Sequence, residues 1–200
     1  MVSRQKMNLP NKLTVSRLGF SVFFVACFFL PFPGRYSVAL GLFALASVTD
    51  YLDGVIARNR GLISDFGKLM DPLADKILTA SAFICLIGIS REGIPALPAW
   101  ATIVIISREF LITGLRSLAL TKGIVLPAEK LGKHKTLWQM ITISYFLCLL
   151  AAGEWVSEPS GLLDRLWVIG AWGLVPLTVL LTVYSGLAYL AKHRHLIRID

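Results

Sequence analysis

Asp50-Tyr51-Leu52-Asp53-Gly54-Val55-Ile56-Ala57-Arg58 opens a segment that closes, eight residues later, with Gly67-Lys68-Leu69-Met70-Asp71-Pro72-Leu73-Ala74-Asp75. Five aspartates fall between Asp50 and Asp75, four of them in this frame, and the surrounding sequence is strongly apolar. A carboxylate near the hydrocarbon region of a bilayer costs several kcal/mol, by estimates of roughly 2.5 upward. Four together need compensation, most simply from a divalent cation. The segment therefore predicts a metal site at a membrane surface.

The rest of the chain supports the membrane setting. Of its 200 residues, 56% are hydrophobic and 16% are charged, and the mean hydropathy is +0.70. A soluble domain is about 45–50% apolar with about a quarter of its residues charged. A bilayer-spanning helix needs about 20 mostly apolar residues. Six such stretches can be laid along the chain, roughly at 13–30, 36–57, 69–89, 99–119, 136–152 and 166–190. The expected fold is all-α, a polytopic membrane protein with six transmembrane helices. One integral membrane domain, residues 1–200, uses the whole length.

Pro10 and Asn11 suggest a juxtamembrane elbow or a short interfacial helix before the first span. The start Met1-Val2-Ser3-Arg4-Gln5-Lys6 loosely resembles a signal peptide, but Leu30-Pro31-Phe32-Pro33-Gly34 is a poor cleavage site, so the first span is expected to be retained. Trp100, Trp138, Trp155 and Trp167 fall near proposed span ends, as interfacial belts require. Cys27, Cys85 and Cys148 each lie in an apolar run without metal-ligand spacing and read as small buried hydrophobes.

The net charge of +8 has a geography. Basic residues gather at Arg4 to Arg17, at Arg58 to Lys68, at Lys122 to Lys135 and at Lys192 to Arg198, while the alternate connections hold Arg35, Arg91 and Arg165 with acids beside them. The positive-inside rule then puts both termini and the aspartate frame on the cytoplasmic side. A basic face of this kind attracts anionic membrane lipids. Nucleic acid is excluded as a partner, because it would leave six apolar spans unexplained.

On helices, Asp50 and Asp53 (i, i+3) share one face, as do Asp71 and Asp75 (i, i+4). Two antiparallel spans joined by a short loop would bring the pairs together. Four hard oxygen ligands suit Mg²⁺ or Mn²⁺ rather than zinc. Gly54 and Ala57 keep a helix surface small, Gly67 opens the second half, and Arg58 offers a fork-shaped donor for a phosphate. Metal, phosphate-binding arginine and steric opening suggest phosphoryl-type transfer, with a spare carboxylate free to take a proton from an attacking hydroxyl. The plainer alternative is a helix-end salt network with Arg58, Lys68 and Lys76, which would need neither the small residues nor four acids.

The frame Asp-x2-Asp-Gly-x2-Ala-Arg-x8-Gly-x3-Asp-x3-Asp resembles, without deviation, the signature of the CDP-alcohol phosphotransferase family. The resemblance implies six transmembrane helices, a homodimer and a metal site at the cytoplasmic interface, expected here in a bacterial inner membrane. It implies a CDP-linked donor that loses CMP as an alcohol takes its place. It assigns the metals to Asp50, Asp53, Asp71 and Asp75, with Asp75 also the general base. It lines the donor pocket with Asp53, Gly54, Ala57, Arg58, Gly67 and Asp71, joined by Asn11 and Thr14.

The acceptor is indicated by a second stretch, Ser107-Arg108-Glu109-Phe110 through Gly114-Leu115-Arg116, followed by Gly132-Lys133-His134-Lys135-Thr136 and Gln139. Arg108 and Arg116, roughly 12 Å apart along a helix and within about a quarter turn, read as buried arginines clamping a second anion, such as an acceptor's phosphate. The alternative is a structural pair of Arg108 or Arg116 with Glu109. Lys133 and Lys135 read either as further acceptor-phosphate ligands or as positive-inside loop charges. With Leu9 to Thr14 and Arg17, these stretches resemble the branch of the family whose donor is CDP-diacylglycerol and whose acceptor is glycerol 3-phosphate. The resemblance covers roughly residues 8–140; the last span is matched by hydropathy only. The nearest rival is the branch using inositol phosphate. A divalent-cation transporter fits less well, because the acids lie at one membrane face and Gly54, Ala57 and Arg58 would have no role.

Overall fold

The computed structural model describes residues 9–60, 65–121, 123, 124, 126, 130–156 and 161–194. The side chains of residues 9–14, 50–75, 130, 131 and 133 lie outside the described set. The helices are α1 (Leu9–Phe29), α2 (Arg35–Arg60), α3 (Asp65–Ile87), α4 (Ala99–Thr121), α5 (Lys130–Trp155), α6 (Gly161–Ile169) and α7 (Val175–Lys192), with a π-helical turn, Gly170–Leu174, joining the last two. The described residues are thus overwhelmingly helical, in six long helical stretches. Among the described residues two stretches, His134–Trp155 and Gly161–Lys192, are long and apolar enough to cross a membrane, and Val15–Phe29, Arg35–Thr49 and Lys76–Ile87 are apolar parts of α1, α2 and α3. Many large apolar side chains face outward, among them Val22, Phe23, Leu45, Ile103, Leu118, Leu180 and Leu187. Water would solvate such a surface poorly and lipid solvates it well, so the chain is suited to membrane association.

Two compact units make up the described chain, one of residues 1–85 and 150–157, the other of residues 86–149 and 158–200. In the first, α1 packs along α2. Ala39, Phe43 and Ala46 recur at helical spacing and are buried, as is Phe24, whose ring meets that of Phe43 at 6.1 Å. Small residues at such a seam let backbones approach closely. Glu154 closes the start of α2: its Oε1 accepts from the Tyr36 N–H at 2.8 Å, and its Oε2 accepts from the Ser37 N–H at 2.9 Å and the Ser37 hydroxyl at 2.8 Å. A carboxylate there satisfies N–H groups that the helix leaves open and sits at the positive end of its dipole. Glu154→Ala should therefore cost about 2 kcal/mol, read as a fall of about 4–8 °C in the thermal unfolding midpoint in detergent. An unchanged midpoint would show that solvent replaces the carboxylate without loss.

In the second unit α4 packs on α7, where Ile112, Leu115, Ala119, Leu126 and Tyr189 form a buried cluster. Between α3 and α4 lies a short hairpin of β1 (Ser90–Arg91) and β2 (Ile94–Pro95), paired Ser90 to Pro95 and Arg91 to Ile94. Glu92 and Gly93 both have positive φ, 49° and 77°, as a type I′ hairpin turn requires. Arg91 pairs with Asp164 of α6, and the Trp167 indole donates to the Ile94 carbonyl at 2.9 Å.

Several expectations are corrected here. From Leu9 onward α1 is one continuous helix, with Pro10 in the first turn, where its missing N–H is tolerated; no separate elbow or interfacial helix forms over 9–14. The spans expected at 36–57 and 69–89 reach further as helix, α2 running to Arg60 and α3 starting at Asp65. Trp167 is buried rather than interfacial, packed edge-on against Phe146, whereas Trp100 and Trp155 are exposed. Of the cysteines, Cys27 is buried, Cys85 half-buried and Cys148 exposed. The last span begins five residues earlier than expected, and at 32 residues its helix extends about 48 Å, beyond a hydrocarbon core of about 30 Å. Its π turn is marked by the Val175 N–H bonding the Gly170 carbonyl five residues back, next to Pro176, which has no N–H to offer. Gly170 also fits a close approach: a Cβ there would lie 2.5 Å from Cε1 of Tyr145, whose hydroxyl donates to the Leu166 carbonyl at 2.7 Å.

Candidate active site

The aspartate frame is carried on two helices. Asp50, Asp53, Gly54, Ala57 and Arg58 lie in the second half of α2, and Gly67, Asp71 and Asp75 in the first half of α3. With 3.6 residues per turn, positions 50 and 53 stand about 60° apart around the axis, and positions 71 and 75 about 40° apart. Each pair thus shares a helix face. Helical backbone persists through Gly54 and through Pro72, a residue that removes the hydrogen bond to the Lys68 carbonyl. Asn11 and Thr14 lie in the first two turns of α1. The side chains of all these residues lie outside the described set, and among the described side chains no three His, Cys, Asp or Glu residues come together.

The acceptor candidates can be followed further. Arg108 and Glu109 project from the middle of α4 within the second unit. One carboxylate oxygen, Glu109 Oε1, faces three donors: Lys135 Nζ of α5, in an ion pair; Gln139 Nε2, one turn further along α5, at 3.4 Å; and Arg108 Nη1 at 3.5 Å. Arg108 Nη2 reaches Ser185 Oγ of α7 at 3.3 Å, and Arg108 Nε is buried without a hydrogen-bond partner. Lys135 is only 5% exposed. Among the described side chains the cluster brings two cations, Arg108 and Lys135, to one carboxylate in a half-buried setting. Cations held away from water suit an anionic ligand.

The Arg108–Glu109 contact offered as an alternative is present, and the same Glu109 oxygen also serves Lys135. Lys135 is not a loop charge: α5 begins at Lys130, and the lysine is buried in its second turn. The expectation of two buried arginines is half right, since Arg116 lies on the exposed side of α4. The side chain of Lys133 is outside the described set, and His134 is exposed.

Sequence reasoning passed over Ser185 and Gly186 altogether. The available signal was a Ser-Gly pair in the last apolar span, three and four residues before the buried Tyr189. Below the charged cluster the buried seam stays polar, with the hydroxyls of Thr142 and Thr178 2.7 Å apart between α5 and α7.

An all-helical chain with outward apolar faces and an aspartate frame split across two helices defines a membrane-associated enzyme of one class. The chain belongs to the CDP-alcohol phosphatidyltransferase family, whose sequence profile matches residues 7–186, and it is accordingly a transferase of phospholipid synthesis. Among curated relatives it is 39% identical over 198 residues to the CDP-diacylglycerol–glycerol-3-phosphate 3-phosphatidyltransferase of Bacillus subtilis, covering 93% of this chain and 95% of that one. It is 36% identical to the enzyme of the same name from Rickettsia bellii, covering 91% and 93%.

Proposed function

We propose that this enzyme transfers the phosphatidyl group of CDP-diacylglycerol to glycerol 3-phosphate, giving phosphatidylglycerophosphate and CMP. The observation that carries the reading is near full-length similarity to relatives named for that reaction, joined to an unbroken aspartate frame. Two cations, Arg108 and the buried Lys135, gathered at one Glu109 oxygen support a phosphorylated acceptor over a free alcohol.

Members of the family use divalent metal ions. The donor set fits that chemistry: Asp50, Asp53, Asp71 and Asp75 are all hard oxygen ligands, placed in pairs by helical register, which suits Mg²⁺ or Mn²⁺. Bound there, the metal would supply charge stabilisation for the donor's diphosphate. Arg58 binds a donor phosphate; Gly54, Ala57 and Gly67 leave room for the nucleotide, and Asn11 and Thr14 add polar contacts to it. Asp75 takes the proton of the acceptor hydroxyl as its oxygen bonds to the phosphatidyl phosphorus and the bond from that phosphorus to CMP breaks. Arg108, Arg116, Lys133 and Lys135 supply positive charge for the acceptor's phosphate.

The same reading gives a single domain over residues 1–200 and six membrane-crossing helices. The helices α1, α2, α3 and α4 each combine an apolar run with charged residues, which lets them span with their polar ends at the membrane surface. The basic clusters support an active site on the cytoplasmic side, and the family resemblance supports a homodimer in a bacterial inner membrane. The test is purified protein with CDP-diacylglycerol and Mg²⁺ against a panel of glycerol 3-phosphate, inositol phosphate, serine and choline, following CMP release. Release with glycerol 3-phosphate alone is the expected result; a preference for any other acceptor would overturn the assignment.

A further inference from the structure

The guanidinium of Arg108 does not lie over an ordinary helix surface. Its stem crosses α7 at Gly186, where a Cβ would stand 2.9 Å from Arg108 Cγ, 3.4 Å from Nε and 3.8 Å from Cδ. Real Cβ atoms do not approach to 2.9 Å, and Cγ is the root of the side chain rather than its flexible tip, so any larger residue at 186 must push Arg108 aside. The preceding residue tethers the other end, with Ser185 Oγ 3.3 Å from Nη2 and itself donating to the Thr182 carbonyl at 3.0 Å. Ser185 is buried, so this tether is held in place. Glu109 lies on the Nη1 side at 3.5 Å, and Nε, between the two tethered ends, has no protein partner.

We propose that Ser185 and Gly186 of α7 are positioning residues for the acceptor site, the glycine as the seat of Arg108 and the serine as its tether, which together fix the guanidinium for the acceptor's phosphate. The inference rests on the reading of Arg108 as an acceptor-phosphate ligand. It gives the last helix, which the family profile follows as far as residue 186, a specific part in substrate recognition. A larger residue at 186 would tilt the fork of donors away from the anion without removing any charge.

Four variants of the full-length enzyme separate the possibilities, each assayed over both substrates. Arg108→Ala sets the reference and should raise the KM for glycerol 3-phosphate about 10- to 100-fold, the range for a hydrogen bond to a charged group. Gly186→Ala should raise it about tenfold, since a displacement of about 1 Å suffices for a large loss, with the KM for CDP-diacylglycerol unmoved. Ser185→Ala should raise it about threefold, the scale of one net hydrogen bond. The double variant Arg108→Ala with Gly186→Ala should match Arg108→Ala alone within about twofold, because the truncated side chain no longer needs the seat. A merely structural glycine would instead add its full cost to the double variant, and that additivity would overturn the proposal. An unchanged acceptor KM in Arg108→Ala would overturn the acceptor reading itself. A raised KM in Arg108→Ala with none in Gly186→Ala and Ser185→Ala would sink the positioning role alone. Should Gly186→Ala fail to fold, Ser185→Ala decides, since it only removes an oxygen: a raised acceptor KM supports the tether and an unchanged one refutes it.

Discussion

Asp75→Asn is expected to lower turnover at least about 100-fold, the usual scale for a general base, while CDP-diacylglycerol binding in Mg²⁺ is largely retained. Asp75 lies four residues after Asp71 in α3, about 6 Å further along the helix axis, which in the proposed site is deeper into the span and toward the lipid-linked phosphate. That position suits a carboxylate meeting the acceptor hydroxyl beside the reacting phosphorus. Asparagine keeps the shape and one carbonyl oxygen but cannot take the proton. Loss in turnover with donor affinity preserved separates chemistry from binding. Single-turnover rates with equilibrium binding of the donor would measure both. Normal turnover in the variant would refute the base, and equal losses in rate and donor affinity would recast Asp75 as a binding ligand.

The helices were legible because hydrophobic length is a local property. The centres of all six apolar stretches lie inside helices, and the frame keeps the register that makes its spacing meaningful. Helix ends were less legible because they depend on partners elsewhere. Glu154 reads in sequence as a loop acid, yet it caps α2 from 117 and 118 residues away. Trp167 sits near a span end as a belt residue would, but its N–H finds the Ile94 carbonyl of the hairpin that turns at Glu92-Gly93. The π turn follows from Gly170, Gly173 and Pro176 close together, a pattern readable as a weak point but not as a particular hydrogen-bond shift.

For the site, identity and arrangement separate in the same way. Arg108 stood out as a cation inside an apolar helix, and Gln139 lies one turn from Lys135, so both carried a local signal. That Glu109 would face Lys135 and Arg108 through one oxygen depends on how α4 and α5 pack, which no spacing encodes. Ser185 and Gly186 matter through a side chain 77 residues away in sequence. Arg116 shows the reverse limit: eight residues from Arg108 on one helix, it still lies on the exposed side, because about a quarter turn is enough to leave the packed face.

Removal of divalent metal should abolish the reaction, and Mg²⁺ or Mn²⁺ should restore it. In the proposed site four carboxylates would share one membrane surface, where they would repel each other and be poorly solvated, so without a cation they would take up protons or move apart. Both responses would spoil donor binding as well as catalysis. Exhaustive chelation, checked by elemental analysis, is therefore expected to reduce CMP release below detection and to weaken CDP-diacylglycerol binding. Asp50→Asn, Asp53→Asn and Asp71→Asn each remove one charge from the set and should raise the metal concentration needed for half-maximal rate, along with lowering the rate itself. Isothermal titration of Mn²⁺ into the chelated protein gives a readout independent of turnover. Undiminished activity in metal-free protein, or near-native metal affinity in all three variants, would remove the frame from the active site and leave its four aspartates to the helix-end salt network that Arg58, Lys68 and Lys76 could form.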